Sequence, residues 1–225
     1  MINKKEFASV VGDLTSTEAI YALKLLTKSL NGNCECRVDK SSLSATDRSG
    51  FIGGSAISEL DGCEKIILIG TDPKIESPVF NARIRKAWLN GAEIYVVGKK
   101  IDLTYEYQFC GSDRDALVNL IKKNKIGCNS KTFVVLGQGA LTDADGEDVL
   151  QATKKLVDKF SCKFLILHVA ASRVGAMEVG FTHDGGVDAA LKGAEVVYNL
   201  GMDEFDLPDG CFVIYQGSHG DRGAH

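Results

Sequence analysis

No apolar run in this 225-residue chain approaches the ~20 residues that cross a bilayer as a helix. No direct membrane insertion is therefore expected, and any membrane association would come through partners. The opening MINKKEF is charged and lacks the apolar stretch of a secretory signal. There is no basic run or basic face, and the net charge is −4, which argues against nucleic acid as a partner. Cysteine pairing is missing too. The seven cysteines are odd in number and scattered, and only Cys34-Glu35-Cys36 brings two of them close. No second pair completes a four-ligand site. The thiols are expected to be free and inert in a reducing compartment, with no metal and no cluster on this chain.

What the chain does contain is an ordinary globular balance, 44% apolar and 25% charged, with length enough for a sizeable core. One stretch organises it: residues 65–98, KIILIGTDPKIESPVFNARIRKAWLNGAEIYVVG. Lys65 to Ile69 is a nearly continuous apolar run closed by Gly70, as expected of a strand covered on both faces. Ser77-Pro78 supplies an N-cap and a first-turn proline. Phe80, Ile84 and Trp88 then recur at i+4, Asn90-Gly91 signals a helix end, and Ile94 to Val97 is a second strand. The unit reads as a right-handed parallel βαβ crossover.

The remaining segments repeat this grammar. Val10 to Leu14 reads as a strand, and Thr15 with Glu18 as a capping box before a helix with Ile20, Leu23, Leu26 and Leu30 on one face. Cys34 to Val38 reads as a brief strand, residues 39–54 as loop, and Ser55 to Leu60 as a short helix. Residues 99–111 read as irregular, and Ser112 as the start of a capped helix. Thr132 to Leu136, Val196 to Leu200 and Cys211 to Gln216 read as strands, Gly146 to Phe160 as a helix and Val187 to Leu191 as a short one. Phe164 to Leu167 is ambiguous between strand and helix, and Val169 to Met177 looks weakly helical. The polar stretch 124–131 is taken as the boundary between lobes 1–127 and 128–225. The expected fold class is α/β: two Rossmann-like three-layer αβα lobes with mainly parallel sheets. The second lobe looks truncated, because the closing GSHGDRGAH offers no further element.

The glycine-rich turns are the natural places to look for chemistry. Gly137-Gln138-Gly139 is two-thirds of a dinucleotide fingerprint, but Thr142 stands at the third glycine position. Asp143, Asp145, Glu147 and Asp148 would also repel a pyrophosphate at that helix start. Gly50, Gly53 and Gly54 lack a P-loop ending. The Gly70–Pro78 turn carries Asp72 and Glu76 against Lys74, and two prolines that cannot donate an N–H. Arg83, Arg85 and Lys86 suit the C-terminal dipole of their helix and read as solvated or partner-facing. Ser218, His219 and Asp221 are too close along one loop to align as a triad. His168 reads as a hydrogen-bonded core residue and His183 as a turn residue. No residue is expected to be catalytic.

The stretch IGTDPKIESPVFNARIRKAWLNG followed by VVGKKIDLTYEY resembles the family of the large iron–sulfur subunit of respiratory NADH–quinone oxidoreductase, complex I. VVGDLTSTEAIYALKLL, LGQGALTDADG, LHVAASRVGAMEVGF and FVIYQGSHGDRGAH carry the same resemblance in the same order. The variety resembled most is the alphaproteobacterial and mitochondrial one. The resemblance implies the family's molybdopterin oxidoreductase-like region only, with iron–sulfur clusters in a missing N-terminal part and both ends of this chain inside the family's region. In cofactor-using relatives, a molybdenum-bound pterin dinucleotide sits at three loops. These would correspond to Gly70–Pro78, Gly98–Lys100 and Gly175–Gly180, making Gly70, Asp72, Pro73, Gly98, Gly175 and Gly180 vestigial cofactor-loop residues. Asp72 stands where relatives carry Asn, and Gly98-Lys99-Lys100 where they carry Asp-Pro-Arg. The resemblance thus implies a scaffold without its own cofactor, partnered by other peripheral-arm subunits. It would sit on the cytoplasmic face of the cell membrane, or on the matrix side in a mitochondrion. The alternative is a fragment of an active molybdopterin-dinucleotide oxidoreductase. A third reading, a small nucleotide-binding enzyme using Gly137–Gly139, is tested by NADH binding.

Overall fold

A computed structural model describes residues 7–203 and 207–218. In chain order it begins with β1 (Phe7–Val11), α1 (Thr17–Ser29) and β2 (Asn33–Glu35). Next come β3 (Lys65–Ile69), α2 (Pro73–Glu76), α3 (Pro78–Leu89), β4 (Glu93–Val97), β5 (Gln108–Gly111) and α4 (Arg114–Lys123). They are followed by β6 (Thr132–Gly137), α5 (Gly146–Phe160), β7 (Lys163–Leu167), α6 (Arg173–Glu178), α7 (Gly186–Leu191), β8 (Val196–Leu200) and β9 (Phe212–Gln216). The class is α/β, with two sheets whose neighbouring strands all run parallel.

The chain divides into two compact units. A continuous unit spans Ser41–Val169, and a split unit combines Met1–Lys40 with Ala170–His225. The boundary expected near residue 127 falls inside the continuous unit. β3 pairs with β6 along the whole length of β3, Lys65 beside Thr132 through Ile69 beside Leu136, so the strands on either side of residue 127 share one sheet. The polar stretch 124–131 is the connection between α4 and β6.

The sheet of the continuous unit has the order β5-β4-β3-β6-β7. Ile66, Ile67, Leu68 and Ile69 are all buried, as a central strand covered on both sides requires. Burial of each such side chain is worth roughly 1.5–3 kcal/mol. Ile66 and Leu68 join Ile94, Val96, Phe133 and Val135 against Phe80, Ile84 and Ala87 of α3. Ile67, Ile69, Val134 and Leu136 alternate to the other face and are equally buried. Right-handed crossovers put α4 and α5, which pack on each other, on that side. Pro78 stands at the first position of α3 and Asn90 caps its end, with Gly91 at φ +99°. Phe164 to Leu167 resolves as strand β7, paired from Phe133 beside Lys163 onward. Strand β5 lies inside the stretch expected to be irregular.

The split unit has the order β2-β1-β8-β9. Ala8 and Val10 pack with Val187 and Leu191 of α7, while Ser9 on the opposite face hydrogen-bonds Thr27 of α1 at 2.7 Å. The first strand lies earlier than its sequence suggests, at Phe7–Val11, because Gly12 and Asp13 already turn away. The cap of α1 is Ser16, whose hydroxyl accepts from the Ala19 N–H at 3.4 Å. Leu26 is exposed and Thr27 takes its place inside, where it bonds the Leu23 carbonyl as well as Ser9.

Candidate functional site

In the continuous unit the chain runs from β3 outward through β4 and β5, then returns to β6 on the other side of β3. That reversal makes a crevice at the carboxyl ends of β3 and β6, the position where open α/β sheets bind ligands. A cleft of about 480 Å³ lies there. Its walls are the turns that follow β3, β4, β5 and β6: Ile69 to Asp72, Val97 to Lys99, Ser112 to Arg114, and Gly139 to Asp145. The expected turn residues Gly70, Asp72 and Gly98 are thus brought together around one space, with Pro73 buried beside them at the start of α2.

The glycines here answer to backbone proximity. Gly70 has φ +55°, and a Cβ on it would lie 2.4 Å from that of Ala140. A Cβ on Gly137 would meet the Gly70 carbonyl oxygen at 2.4 Å. The first glycine of Gly137-Gln138-Gly139 therefore lets the β3 and β6 turns touch, and Gln138 is buried with its side-chain oxygen accepting from the Val169 N–H at 3.2 Å.

The polar groups of the β3 turn are turned inward. Asp72 caps α2, one Oδ accepting from the Lys74 N–H at 3.1 Å. Glu76 folds back one turn: Oε1 accepts from the Asp72 N–H at 3.0 Å and Oε2 from the Thr71 hydroxyl at 2.5 Å. Two donors that face the crevice are therefore already bonded to a carboxylate of the same turn. Lys74 leaves the turn to bond Asp102, 2.8 Å to its carboxylate and 3.0 Å to its carbonyl. Around the cleft stand Asp72, Glu76, Asp113, Asp143 and Asp145 against Lys99 and Arg114, and Arg114 is paired with Asp148. Asp113 caps α4 through the Ala116 N–H at 2.9 Å. The field in the cleft is negative.

The third expected cofactor loop is not a loop. Gly175 lies inside α6, where its missing side chain leaves room for α1: a Cβ there would stand 2.3 Å from Thr17 Oγ1. Gly180 follows the end of α6 with φ +67°, its N–H bonded to the Met177 carbonyl at 2.9 Å. Both belong to the split unit. The same unit holds two ionic clusters, each built on a buried side chain and neither with a sequence signature. Arg173, 1% exposed, reaches Asp39 at 2.9 Å and Asp13 at 3.1 Å. Glu35, fully buried, pairs with Arg37 at 2.7 Å and accepts from the His183 N–H at 2.9 Å. Cys34 and Cys36 flank Glu35, and burial pushes their thiols up to about 11 and about 12.

His168 bonds the Phe51 carbonyl through Nε2, and His183 accepts from the Gly185 N–H at 3.1 Å, both as turn and packing contacts. Ser218 is described, whereas His219 and Asp221 lie outside the described residues. Among the described residues no group of three or more His, Cys, Asp or Glu could hold a metal ion. No helix among them is long and apolar enough to cross a membrane. In the sequence Glu76 reads only as one more acid of the turn. Its double grip does have a signal there, Asp72-Pro73 with Glu76 four residues on, a capping box stretched by one position.

Parallel sheets with a ligand crevice at a chain reversal define a Rossmann-like α/β protein, and one family of that class covers the whole chain. The profile of the molybdopterin oxidoreductase family matches residues 2–225, and the chain belongs to that family. It is 37% identical over 97% of its length to the NADH-ubiquinone oxidoreductase 78 kDa subunit, mitochondrial, of Neurospora crassa, covering 32% of that protein. Against the NADH dehydrogenase [ubiquinone] iron-sulfur protein 1, mitochondrial, of Solanum tuberosum it is 30% identical over 100% of its length, again covering 32%. The chain thus spans about a third of the length of these curated relatives. Its fold is also that of a chain in the formyltransferase/hydrolase complex from Methylorubrum extorquens, crystallised with methylofuran. The TM-score is 0.59 at 14% identity, over 96% of this chain and 75% of that one.

Proposed function

We propose that this chain is a scaffold region of the large iron–sulfur subunit in the peripheral arm of NADH–quinone oxidoreductase, without catalytic residues or a pterin of its own. Relatedness to the 78 kDa and iron-sulfur protein 1 subunits supports the placement. The observation that carries the absence of cofactor is Glu76, whose carboxylate occupies the Thr71 hydroxyl and Asp72 N–H at the chain reversal. A dinucleotide pyrophosphate brought there meets a carboxylate on the donors it would need, inside a ring of further acids. The family's cofactor does not fit these residues. Electrons from NADH would pass to quinone through iron–sulfur clusters carried elsewhere in the subunit. The region's contribution is to hold neighbouring peripheral-arm subunits in register, on the matrix side where the protein is mitochondrial.

Elemental analysis of the complete subunit, purified within its complex, tests the reading. Iron without molybdenum is the expected result, and stoichiometric molybdenum overturns it in favour of an active molybdopterin oxidoreductase. Arg85 and Lys86 are exposed on α3, and Arg83 lies 3.6 Å from Asp61. Alanine at all three should weaken assembly of the arm, seen as loss of complex on a native gel. An unchanged complex removes α3 as a contact surface.

A further inference from the structure

The cleft at the carboxyl ends of β3 and β6 is suited to more than the exclusion of a pyrophosphate. Its floor is apolar: the buried side chains of Ile69, Val97 and Leu117 line it together with Ile101, Ala140 and Val149. Its volume is about 480 Å³, within the ~300–1,000 Å³ of sites that enclose a ligand.

Around that floor the donors of the walls are committed to the walls. Gly70 and Gly98 give their N–H groups to the Val97 and Gly111 carbonyls, each at 2.9 Å. The Thr71 hydroxyl and the Asp72 N–H go to Glu76, and the Thr142 hydroxyl goes to the Gly139 carbonyl at 2.9 Å. Arg114 is held by Asp148. Acceptors are left over. Asp72 and Asp113 each cap a helix through one oxygen, which leaves the other for a guest. Asp145 makes no cap bond at the start of α5, and Asp143 is exposed beside it.

A guest that complements such a cleft brings donors, positive charge and an apolar stem. Among side chains, lysine and arginine alone combine the three. The carboxylates of the walls separate these two. An arginine fork takes two free oxygens on one carboxylate. Glu76 has both of its oxygens engaged, and Asp72 and Asp113 have one each engaged. A lysine ammonium instead rotates three donors among oxygens of separate groups. A free polyamine would meet the same charges but would leave two large apolar side chains in water. Ile75 and Val79, on the turn and helix that follow β3, are 77% and 87% exposed, and a protein surface would cover them.

We propose that this cleft receives a lysine side chain of another peripheral-arm subunit, a reading that rests on the placement of the chain in that arm. The methylenes lie on the apolar floor, and the ammonium sits among Asp72, Asp113, Asp143 and Asp145. The acids that turn a pyrophosphate away then select the partner, because charge complementarity sets which surfaces meet and in what register.

Carbodiimide treatment of the intact complex tests this, since it joins a carboxylate to an amine in contact with it. Peptide mapping should find one of those four aspartates linked to a lysine of another subunit. With glycine ethyl ester added as a competing amine, Asp143 and Asp145 should be labelled several-fold less in the complex than in the same subunit separated from its partners. Asp143→Asn combined with Asp145→Asn changes two exposed side chains at nearly constant size. The linked subunit should then leave the complex at lower salt. Labelling in the assembled complex as strong as in the separated subunit overturns the proposal and leaves the arm placement standing. So does protection without a lysine link, a link only to lysines of this chain, or an unchanged salt tolerance of the double variant. A complex from which this chain is absent overturns both.

Discussion

Each unit of this chain reverses direction across a parallel sheet, and the two reversals end differently. In the continuous unit the β3 and β6 turns touch around Gly70, Thr71, Gly137 and Ala140, and a cleft stays open above them. In the split unit the corresponding ends of β1 and β8 close on each other. A Cβ on Gly12 would lie 1.8 Å from the Gly201 carbonyl oxygen. The Gly12 carbonyl accepts from the Ser172 hydroxyl at 3.0 Å, the Leu200 carbonyl from Thr15, and Asp13 is held by Arg173. The same topology thus yields a cavity in one unit and a backbone seal in the other. A chain reversal provides a place for a ligand; side chains decide whether the place exists and what charge it has.

The sharpest way to break that contrast is a side chain at the seal. Gly12→Val has no room and should lower stability by about 3 kcal/mol in urea unfolding. At the open reversal, Gly139→Ala should stay within about 0.5 kcal/mol, because its new Cβ would stand 3.8 Å from the Gly70 carbonyl oxygen, an ordinary contact. Equal costs at the two positions would refute the difference. Arg173→Met comes next: it strands two partly exposed carboxylates and should cost about 2 kcal/mol. Where the two units unfold separately, only the transition of the split unit should move. The smallest effect belongs to the exposed pair beside the cleft. Lys74 holds the Asp102 carboxyl below the usual carboxylate range. Its contribution is therefore complete above the unfolded value near pH ~4 and is lost as pH falls through the lowered folded value. Asp102→Asn should shift the melting temperature by about a degree or less at neutral pH. The difference from wild type should vanish in acid, and salt should shrink it.

Much of this is readable from residue order alone. β3, β4, β6, β8 and α5 announce themselves by apolar runs or an amphipathic stripe, and Pro78 and Gly91 mark their helix ends. β5 is not readable: Gln108 to Gly111 is four residues long, on a sheet edge and half exposed, so burial left no pattern in it. The boundary near 127 misleads for a different reason. Polar composition marks a loop, and only the pairing of β3 with β6 tells whether a loop joins two sheets or two strands of one. Among the candidate residues, Gly70, Asp72 and Gly98 do share a cleft, and their chemistry is legible as an excess of acid. Gly175 misleads because a glycine needed for helix–helix contact looks the same in sequence as one in a phosphate turn. Tyr105, in the stretch read as irregular, is buried with its hydroxyl 2.6 Å from Asn81 Oδ1.

The interruption of one unit by the other has a consequence for the order of events on the ribosome. β1 is synthesised long before its central partner β8, with Phe7 beside Val196. Through the time in which Ser41–Val169 can emerge and close its own sheet, FASVV has only the three-residue β2 to pair with. Loop-closure entropy and vectorial synthesis therefore act together: β1 is made early in this unit and completed late. During that interval a nascent chain carries an apolar strand with an open edge, a segment suited to chaperone binding.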